Sequence, residues 1–352
     1  EYKPAALPIG QKVVAIIKDA HDNDIELKNF KVDKDLLRGF QLQEDETVAE
    51  KMDELHERAK GFIGVEARKT VTWATDLFYH TPLEFKLGKR TERAYLDAMI
   101  IGDPRTMKSA TAKAMSGMYE LGKVTSLKTA TKAGLIGGSD QTAGGWKTKV
   151  GLLPRSHKGA IIMEEFSGGN QFISALTEIR SSNRVRLERV NGSLDVPAMV
   201  RMLSISNPAT NGNTSTSLRQ YSSGIEVVLQ LIGASEDIAR YDFFLLVDEQ
   251  VSFISPLDDF DLEPFSKDAY KHRIRWVWSR TADQVVLEKP IAQYIVNESQ
   301  RLNGLYDSHI KLFGPEAWKK ISRVAIAVAG LLVSTDEDFE KTIEIYNEIK
   351  YD

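Results

Sequence analysis

The 352-residue sequence contains no cysteine. This absence excludes disulfide bonds and cysteine-based zinc sites, and it suits a reducing compartment, so we expect a cytoplasmic protein. Long apolar runs are also absent: residues 324–333 form the longest, well short of the roughly 20 residues that span a bilayer, so no membrane partner is expected. The chain begins Glu1-Tyr2-Lys3-Pro4, without an initiator methionine or a signal peptide, and we expect it to be a fragment of a longer protein.

A surplus of positive charge is missing as well, since the formal net charge is −4. Proteins that bind a nucleic-acid backbone over a broad surface are usually basic, because Lys and Arg release counterions from the phosphates. Any such contact here must therefore be local. The composition, 42% hydrophobic and 27% charged, is that of an ordinary globular protein with room for two or three domains.

One short segment has the pattern of a phosphate-binding loop. An apolar run, residues 98–101, is followed by Gly102-Asp103-Pro104-Arg105-Thr106-Met107-Lys108-Ser109-Ala110. A buried strand, a tight turn and a helix start present backbone N–H groups and a lysine to phosphates, while the serine can bind Mg²⁺. We predict that residues 102–110 bind nucleotide and that 109–121 form the helix. A strand-turn-helix without a ligand remains the alternative, because Met107 replaces the standard glycine.

Three further apolar strands are each accompanied by a polar residue suited to phosphoryl transfer. Residues 159–163 end in Glu164 and Glu165, and unpaired carboxylates there would be costly to bury. Glu164 is predicted to hold Mg²⁺ and Glu165 to orient the attacking water. Asn207 follows residues 202–206 and could position that water. Arg240 precedes residues 243–247, where an ion pair with Asp242 is the simplest alternative.

This order of motifs resembles the AAA+ ATPases and, within them, the minichromosome maintenance (MCM) helicases. Residues 79–83 and 151–166 are similar to the MCM-like helicases of phages and mobile elements, and the resemblance covers residues 75–350. It implies an α/β fold: a three-layer α/β/α AAA+ core with a parallel sheet, then a C-terminal helical lid. It also implies ATP and Mg²⁺ as cofactors, and a homo-oligomeric ring, expected to be a hexamer, that moves along or unwinds DNA during replication.

The resemblance also assigns roles to individual residues. Asn207 would sense the γ-phosphate, and Arg240 would reach the γ-phosphate of a neighbouring subunit, a contact worth about 10³ to 10⁵ in rate. Arg323 matches the second sensor arginine, which contacts nucleotide. The sequence departs from the family pattern at three positions: Arg105 replaces Gly, Met107 replaces Ala, and Glu164 replaces Asp.

Two segments are candidates for DNA contact. Residues 184–196 alternate around Asn191-Gly192, a strong hairpin signal. The pattern predicts Val185, Leu187, Leu194 and Val196 on one face, Arg184 and Arg186 on the other, and Arg189 near the tip. The family resemblance implies that this hairpin enters the ring channel; a solvated surface hairpin is the alternative. In the Gly-rich segment 137–149, Lys147 and Lys149 beside Trp146 could contact single-stranded DNA, or the segment is a flexible surface loop.

We predict three regions: residues 1–62, 63–260 (the ATPase core) and 261–352 (the lid). The first contains a capping box, Thr47 and Glu50, that opens a helix to about Lys60. The lid is expected to have helices over 269–280, 289–302, 315–333 and 336–349. Two other functions stay open: a different AAA+ machine, such as a metal-chelatase-like or protein-remodelling ATPase, and a nucleotide-binding ring subunit with little hydrolysis.

Overall fold

The computed structural model describes residues 27–64, 68–142, 145–189, 192–211, 214–215, 217–248, 262–305 and 314–333. In chain order its strands are β1 (Glu84–Leu87), β2 (Arg90–Arg93), β3 (Asp97–Gly102), β4 (Lys123–Ser126), β5 (Gly137–Thr142), β6 (Gly145–Val150), β7 (Ala160–Glu164), β8 (Arg184–Arg189), β9 (Gly192–Pro197), β10 (Arg201–Ser206), β11 (Thr210–Asn211), β12 (Thr214–Ser215), β13 (Phe243–Val247) and β14 (Val286–Leu287).

The helices within these ranges begin with a short N-terminal one and end in the lid. They are α1 (Lys34–Leu37), α2 (Val48–Ile63), α3 (Lys69–Tyr79), α4 (Lys108–Tyr119), α5 (Lys132–Leu135), α6 (Leu152–Arg155), α7 (Ile173–Ser182), α8 (Gly224–Ile232), α9 (Ser235–Ile238), α10 (Lys267–Trp278), α11 (Lys289–Leu305) and α12 (Ala317–Leu331). The expected capping box opens α2: Glu50 accepts from the Thr47 N–H at 2.8 Å. None of the helices described has the length and apolar character needed to cross a bilayer.

The central sheet has five strands in the order β13-β3-β10-β7-β4. Every neighbouring pair is parallel, with Ile100 of β3 opposite both Ile205 of β10 and Leu245 of β13. Parallel strands must be connected by crossovers, and these bring helices to both faces. The four strands expected from the sequence are therefore all present, and β4 is a fifth that its polar, partly exposed residues did not reveal.

Alternate residues of β3 enter two different cores, since successive side chains of a strand point to opposite faces. Ala98 and Ile100 pack with residues of α2, α3, α4 and α10. Met99 and Ile101 pack on the other face with residues of α7 and α8. The sheet therefore lies between two helical layers, and the predicted three-layer α/β/α architecture is confirmed.

A third core lies beside the main body. Phe85 of β1, Leu287 of β14, Ile295 of α11 and Ile321 of α12 share it, and β14-β1-β2 form a small sheet there. The last turns of α12 instead join the first core through Val328 and neighbouring residues. Helix α12 thus connects the small sheet to the three-layer core. The fourth expected lid helix, 336–349, lies outside the described residues.

Candidate nucleotide site

The phosphate-binding loop begins where β3 and β13 approach too closely for a side chain. A Cβ atom on Gly102 would lie 2.6 Å from the carbonyl oxygen of Val247. The loop then turns through two non-glycine residues with positive φ, Arg105 (64°) and Met107 (61°), before α4 begins at Lys108. Left-handed backbone costs about 1 kcal/mol or more for such residues. Two side chains thus occupy a loop whose geometry favours glycine.

The Lys108 ammonium is positioned without any ligand. It is 5% exposed and donates to the carbonyl oxygen of Asp103 and to Oδ1 of Asn207, both at 2.8 Å. Burial lowers the pKa of Lys108 to about 8, a shift that Asp103 opposes and the positive charge of Arg68 assists. The loop lysine and the asparagine at the end of β10 therefore lie together, as the sequence predicted.

Asp103 holds the loop in place through both its carboxylate and its backbone carbonyl oxygen. Its fully buried carboxylate accepts from the Ser217 hydroxyl at 2.6 Å and from the Leu218 N–H at 2.8 Å. Its carbonyl oxygen accepts from the Thr106 hydroxyl at 2.8 Å as well as from Lys108. The loop is thereby tied to the segment that follows β12.

Each member of the acidic pair has an intrachain partner. The Glu164 carboxylate, at the end of β7, forms an ion pair with the Lys113 ammonium at 2.7 Å. The Glu165 carboxylate accepts a hydrogen bond from the Ser126 hydroxyl. Glu165 itself has a left-handed backbone, with φ of 53°, which turns the chain sharply after the strand. The N–H of Ser167 then donates to the Ser206 hydroxyl at 3.0 Å, joining this turn to the end of β10.

The donor set suits Mg²⁺ better than a transition metal. Ser109 and Glu164 offer hard oxygen ligands, which Mg²⁺ prefers. The described residues contain no group of three or more His, Cys, Asp or Glu side chains that could form an all-protein metal cage. Mg²⁺ typically takes one or two protein ligands and completes its shell with phosphates and water. Glu164 already pairs with a cation, the Lys113 ammonium, so a positive charge is favourable beside this carboxylate.

Arg240 lies just before β13, at the amino end of the parallel strands, whereas the phosphate-binding loop lies at their carboxyl end. It is exposed and forms no ion pair with any residue that the structure describes. Asp242, its expected intrachain alternative, instead binds Arg93 at 3.3 Å and Arg323, and it accepts from the Asp97 N–H at 2.8 Å. Arg240 opens onto a cleft of about 430 Å³ that Lys320 and Arg323 also line.

Arg323, which the family resemblance implies contacts nucleotide, lies close to Asp242. Its guanidinium donates to the Arg93 carbonyl oxygen at 3.0 Å and pairs with Asp242, beside the amino end of β3. The phosphate-binding loop follows the carboxyl end of that strand. Five residue steps of about 3.3 Å separate the two ends by about 17 Å. Arg323 therefore does not lie with the nucleotide-binding residues of its own chain; it shares the cleft of Arg240.

The hairpin β8–β9 has the predicted faces but a different register. Gly192, expected in the turn, instead pairs with Arg189 as the first residue of β9; Asn191 lies outside the described residues. This register places Val185 opposite Val196 and Leu187 opposite Leu194, and apolar cross-strand pairs stabilise a sheet.

The positive charge on the polar face of this hairpin is partly neutralised by a carboxylate. Asp195 binds the Arg184 guanidinium at 2.5 Å and lies 3.7 Å from Arg186. The Arg184 hydrogen bond, with both arginine charges, lowers the pKa of Asp195. The side chain of Arg189 lies outside the described residues. The arginines expected to contact DNA thus already have one shared carboxylate.

The Gly-rich segment 137–149 is a hairpin and not an irregular loop. Strands β5 and β6 pair antiparallel from Gly137 opposite Val150 to Thr142 opposite Gly145. Lys149 is exposed, whereas the side chains of Trp146 and Lys147 lie outside the described residues.

A family model, the MCM P-loop domain, matches residues 65–253, which is more than half of the chain. The chain belongs to the MCM family. The match includes the phosphate-binding loop, the acidic pair, Asn207, Arg240 and both hairpins. Membership in the family indicates an MCM-like ATPase that binds nucleotide.

A curated relative adds weaker support. An uncharacterized MCM-type protein of Methanocaldococcus jannaschii is 22% identical over 189 residues. The match covers 52% of this chain and 23% of the relative, so the chain spans about a quarter of that protein's length. This comparison agrees with the MCM assignment.

Several residues of the MCM site were not anticipated from the sequence. Ser126 is at the end of β4, a strand without an apolar run. Lys113 follows Ser109 by four residues and therefore lies on the same side of α4, a spacing that could have indicated it. Ser217, the partner of Asp103, is separated from the loop by more than a hundred residues, and no local pattern indicates such a contact.

Proposed function

We propose that this chain is the motor domain of a ring-forming DNA translocase or helicase that hydrolyses ATP between subunits. The observation that carries the proposal is the separation of Lys108 from Arg240. Lys108 follows the carboxyl end of β3, whereas Arg240 precedes the amino end of the neighbouring parallel strand β13. The two residues therefore lie at opposite ends of adjacent strands, and a single chain cannot bring both to one triphosphate. A neighbouring copy can, if its cleft covers the loop.

Within one chain, the position of each residue of the proposed nucleotide site supports a specific role. The loop N–H groups and Lys108 bind the phosphates. Glu165 orients and activates the attacking water, and Asn207 holds that water or the γ-phosphate. Ser109 and Glu164 are the residues that would hold Mg²⁺, which when bound neutralises charge on the phosphate oxygens.

The neighbouring chain would supply Arg240 and Arg323 together. Arg240 is exposed in the cleft, so its guanidinium is available to a triphosphate. Arg323 is held beside it by Asp242. Such arginines stabilise charge that develops in the transition state. A lone chain should therefore bind ATP and hydrolyse it slowly.

DNA would contact the hairpins. Arg184, Arg186 and Arg189 of β8, with Lys147 and Lys149 of β6, are the proposed contacts. A ring with these residues inside and a neutral or acidic exterior accommodates the net charge of −4. Replication of a phage or mobile element is the proposed setting.

The test is ATPase rate against protein concentration, with and without single-stranded DNA. We expect the rate per chain to rise on assembly and to rise again with DNA. The variant Arg184→Ala/Arg186→Ala/Arg189→Ala should retain the basal rate and lose the DNA response. An unchanged DNA response in this variant would exclude the hairpin as the DNA contact.

A second candidate is an AAA+ remodelling ATPase that does not act on DNA. The ion pairs of Asp195 with Arg184 and Arg186 favour it, because paired arginines attract phosphates less strongly. An assembly-dependent ATPase that no DNA stimulates would support this candidate. A wild-type rate no faster than that of Glu165→Gln would instead support a nucleotide-binding ring subunit.

A further inference from the structure

Lys113 lies where a metal ion would compete with it. Its ammonium is 2.7 Å from the Glu164 carboxylate, the group proposed to hold Mg²⁺. Lys113 also follows Ser109, the second proposed ligand, by four residues on α4, and residues with this spacing share a helix face. The lysine and the metal would thus approach the same carboxylate from the same side.

The two side chains of this ion pair differ in exposure. The Glu164 side chain is 11% exposed, whereas that of Lys113 is 52% exposed. A nearly buried carboxylate needs a counter-ion. An exposed lysine can withdraw into water at little cost, because its charge is readily solvated. The pair therefore has a fixed anion and a replaceable cation.

We propose that Lys113 is a built-in counter-ion of Glu164 that Mg²⁺ must displace when nucleotide binds. It pairs with the carboxylate and holds it in place in the nucleotide-free site, and it weakens Mg²⁺ binding by the strength of its own ion pair. Lys113 is a positioning residue, because it contacts a proposed ligand and not the reacting atoms. This proposal rests on the nucleotide-binding function proposed above.

The test measures how strongly Mg²⁺ and nucleotide reinforce each other. The affinity of the whole chain for a fluorescent ADP analogue is titrated without Mg²⁺ and with saturating Mg²⁺, and the ratio gives their coupling. Exposed ion pairs are worth about 0.2–1 kcal/mol. Lys113→Met should therefore increase the coupling up to about fivefold, since about 1.4 kcal/mol is tenfold.

Two control variants isolate the charge. Lys113→Arg retains it and should keep the wild-type coupling. Lys271→Met removes an equal charge from an ion pair with Glu120, at the other end of α4 (3.1 Å), and should also keep it. Salt provides a further control, because the Debye length falls from about 30 Å at about 0.01 M salt to about 3 Å at about 1 M. The increase in coupling caused by Lys113→Met should therefore become smaller as salt is raised, whereas a packing defect would not respond in this way.

The outcomes separate this proposal from the function on which it rests. Unchanged or weakened coupling in Lys113→Met, with ADP still bound, overturns the counter-ion role and leaves the ATPase proposal intact. Failure of the wild-type chain to bind the ADP analogue at any Mg²⁺ concentration overturns both.

Discussion

Nucleotide affinity should fall steeply between about pH 7 and pH 9, a range in which a loop lysine with an ordinary pKa would stay charged. The cause is Lys108, whose pKa burial lowers from 10.5 to about 8 in the ligand-free chain. Phosphate binding requires the charged form, because the ammonium donates to the anion. Above pH 8, most Lys108 side chains are neutral and must take up a proton before they can bind phosphate.

The magnitude follows from the charged fraction. With a pKa of about 8, the lysine is about 90% charged at pH 7 and about 10% charged at pH 9, so affinity should fall about tenfold between them. An unperturbed lysine, with a pKa of about 10.4, would lose almost nothing over this interval.

The assay is equilibrium binding of a fluorescent ADP analogue at pH 7, 8 and 9, without Mg²⁺ and at constant ionic strength. Lys108→Arg is the matched variant, because arginine stays charged throughout. Its affinity should vary less with pH than that of the wild-type chain, whatever its absolute value. A wild-type affinity that is flat from pH 7 to 9 would refute the argument.

Three other substitutions have defined outcomes. Gly102→Ala should abolish ADP binding and lower the free energy of unfolding by about 1–3 kcal/mol, since its Cβ would meet a carbonyl oxygen at 2.6 Å; wild-type binding and melting temperature would contradict this. Ser126→Ala should raise basal ATPase activity about two- to tenfold, because the Glu165 carboxylate loses a hydrogen bond worth about 0.5–1.5 kcal/mol; a slower enzyme would show that the serine positions this group productively. Asp195→Asn should tighten binding of single-stranded DNA and steepen its salt dependence, because it frees two arginines; unchanged binding would remove the hairpin's polar face from the DNA contact.

The sequence predicted the elements that carry the loop, since their patterns are local. Strand β13 has the expected bounds, 243–247, and α4 covers Lys108–Tyr119 where 109–121 was expected. The sequence did not predict edge strand β4, because half of its residues are exposed and the strand contains no apolar run. Ser126, the partner of Glu165, lies on this strand and was therefore missed as well.

The hairpin shows how a two-residue shift of register changes the chemistry. A turn at Asn191-Gly192 would place Asp195 opposite Glu188, two like charges. The observed pairing of Arg189 with Gly192 instead places Asp195 opposite Arg186. Opposite charges across a strand pair stabilise it and like charges destabilise it. The ion pairs of Arg184 and Arg186 with Asp195 follow from this register. The Asn-Gly turn preference alone did not predict it.

The family resemblance assigned Arg323 to nucleotide contact, but sequence order could not indicate which end of the parallel strands this residue reaches. That depends on α12 packing against β1 in the third core, which Phe85 and Ile321 share. Long-range packing of this kind has no local signal. The cleft shared by Arg240 and Arg323 therefore became visible only in three dimensions.

Mixing two inactive variants tests most directly whether the ATPase site forms between subunits. Lys108→Ala lacks a functional loop and Arg240→Ala lacks the arginine, so each alone should be nearly inactive. In randomly mixed rings, about one interface in four joins the intact loop of one variant to the intact arginine of the other. We predict recovery of about a quarter of the wild-type ATPase rate in an equimolar mixture. A mixture no more active than its components, although shown to co-assemble, would contradict the account.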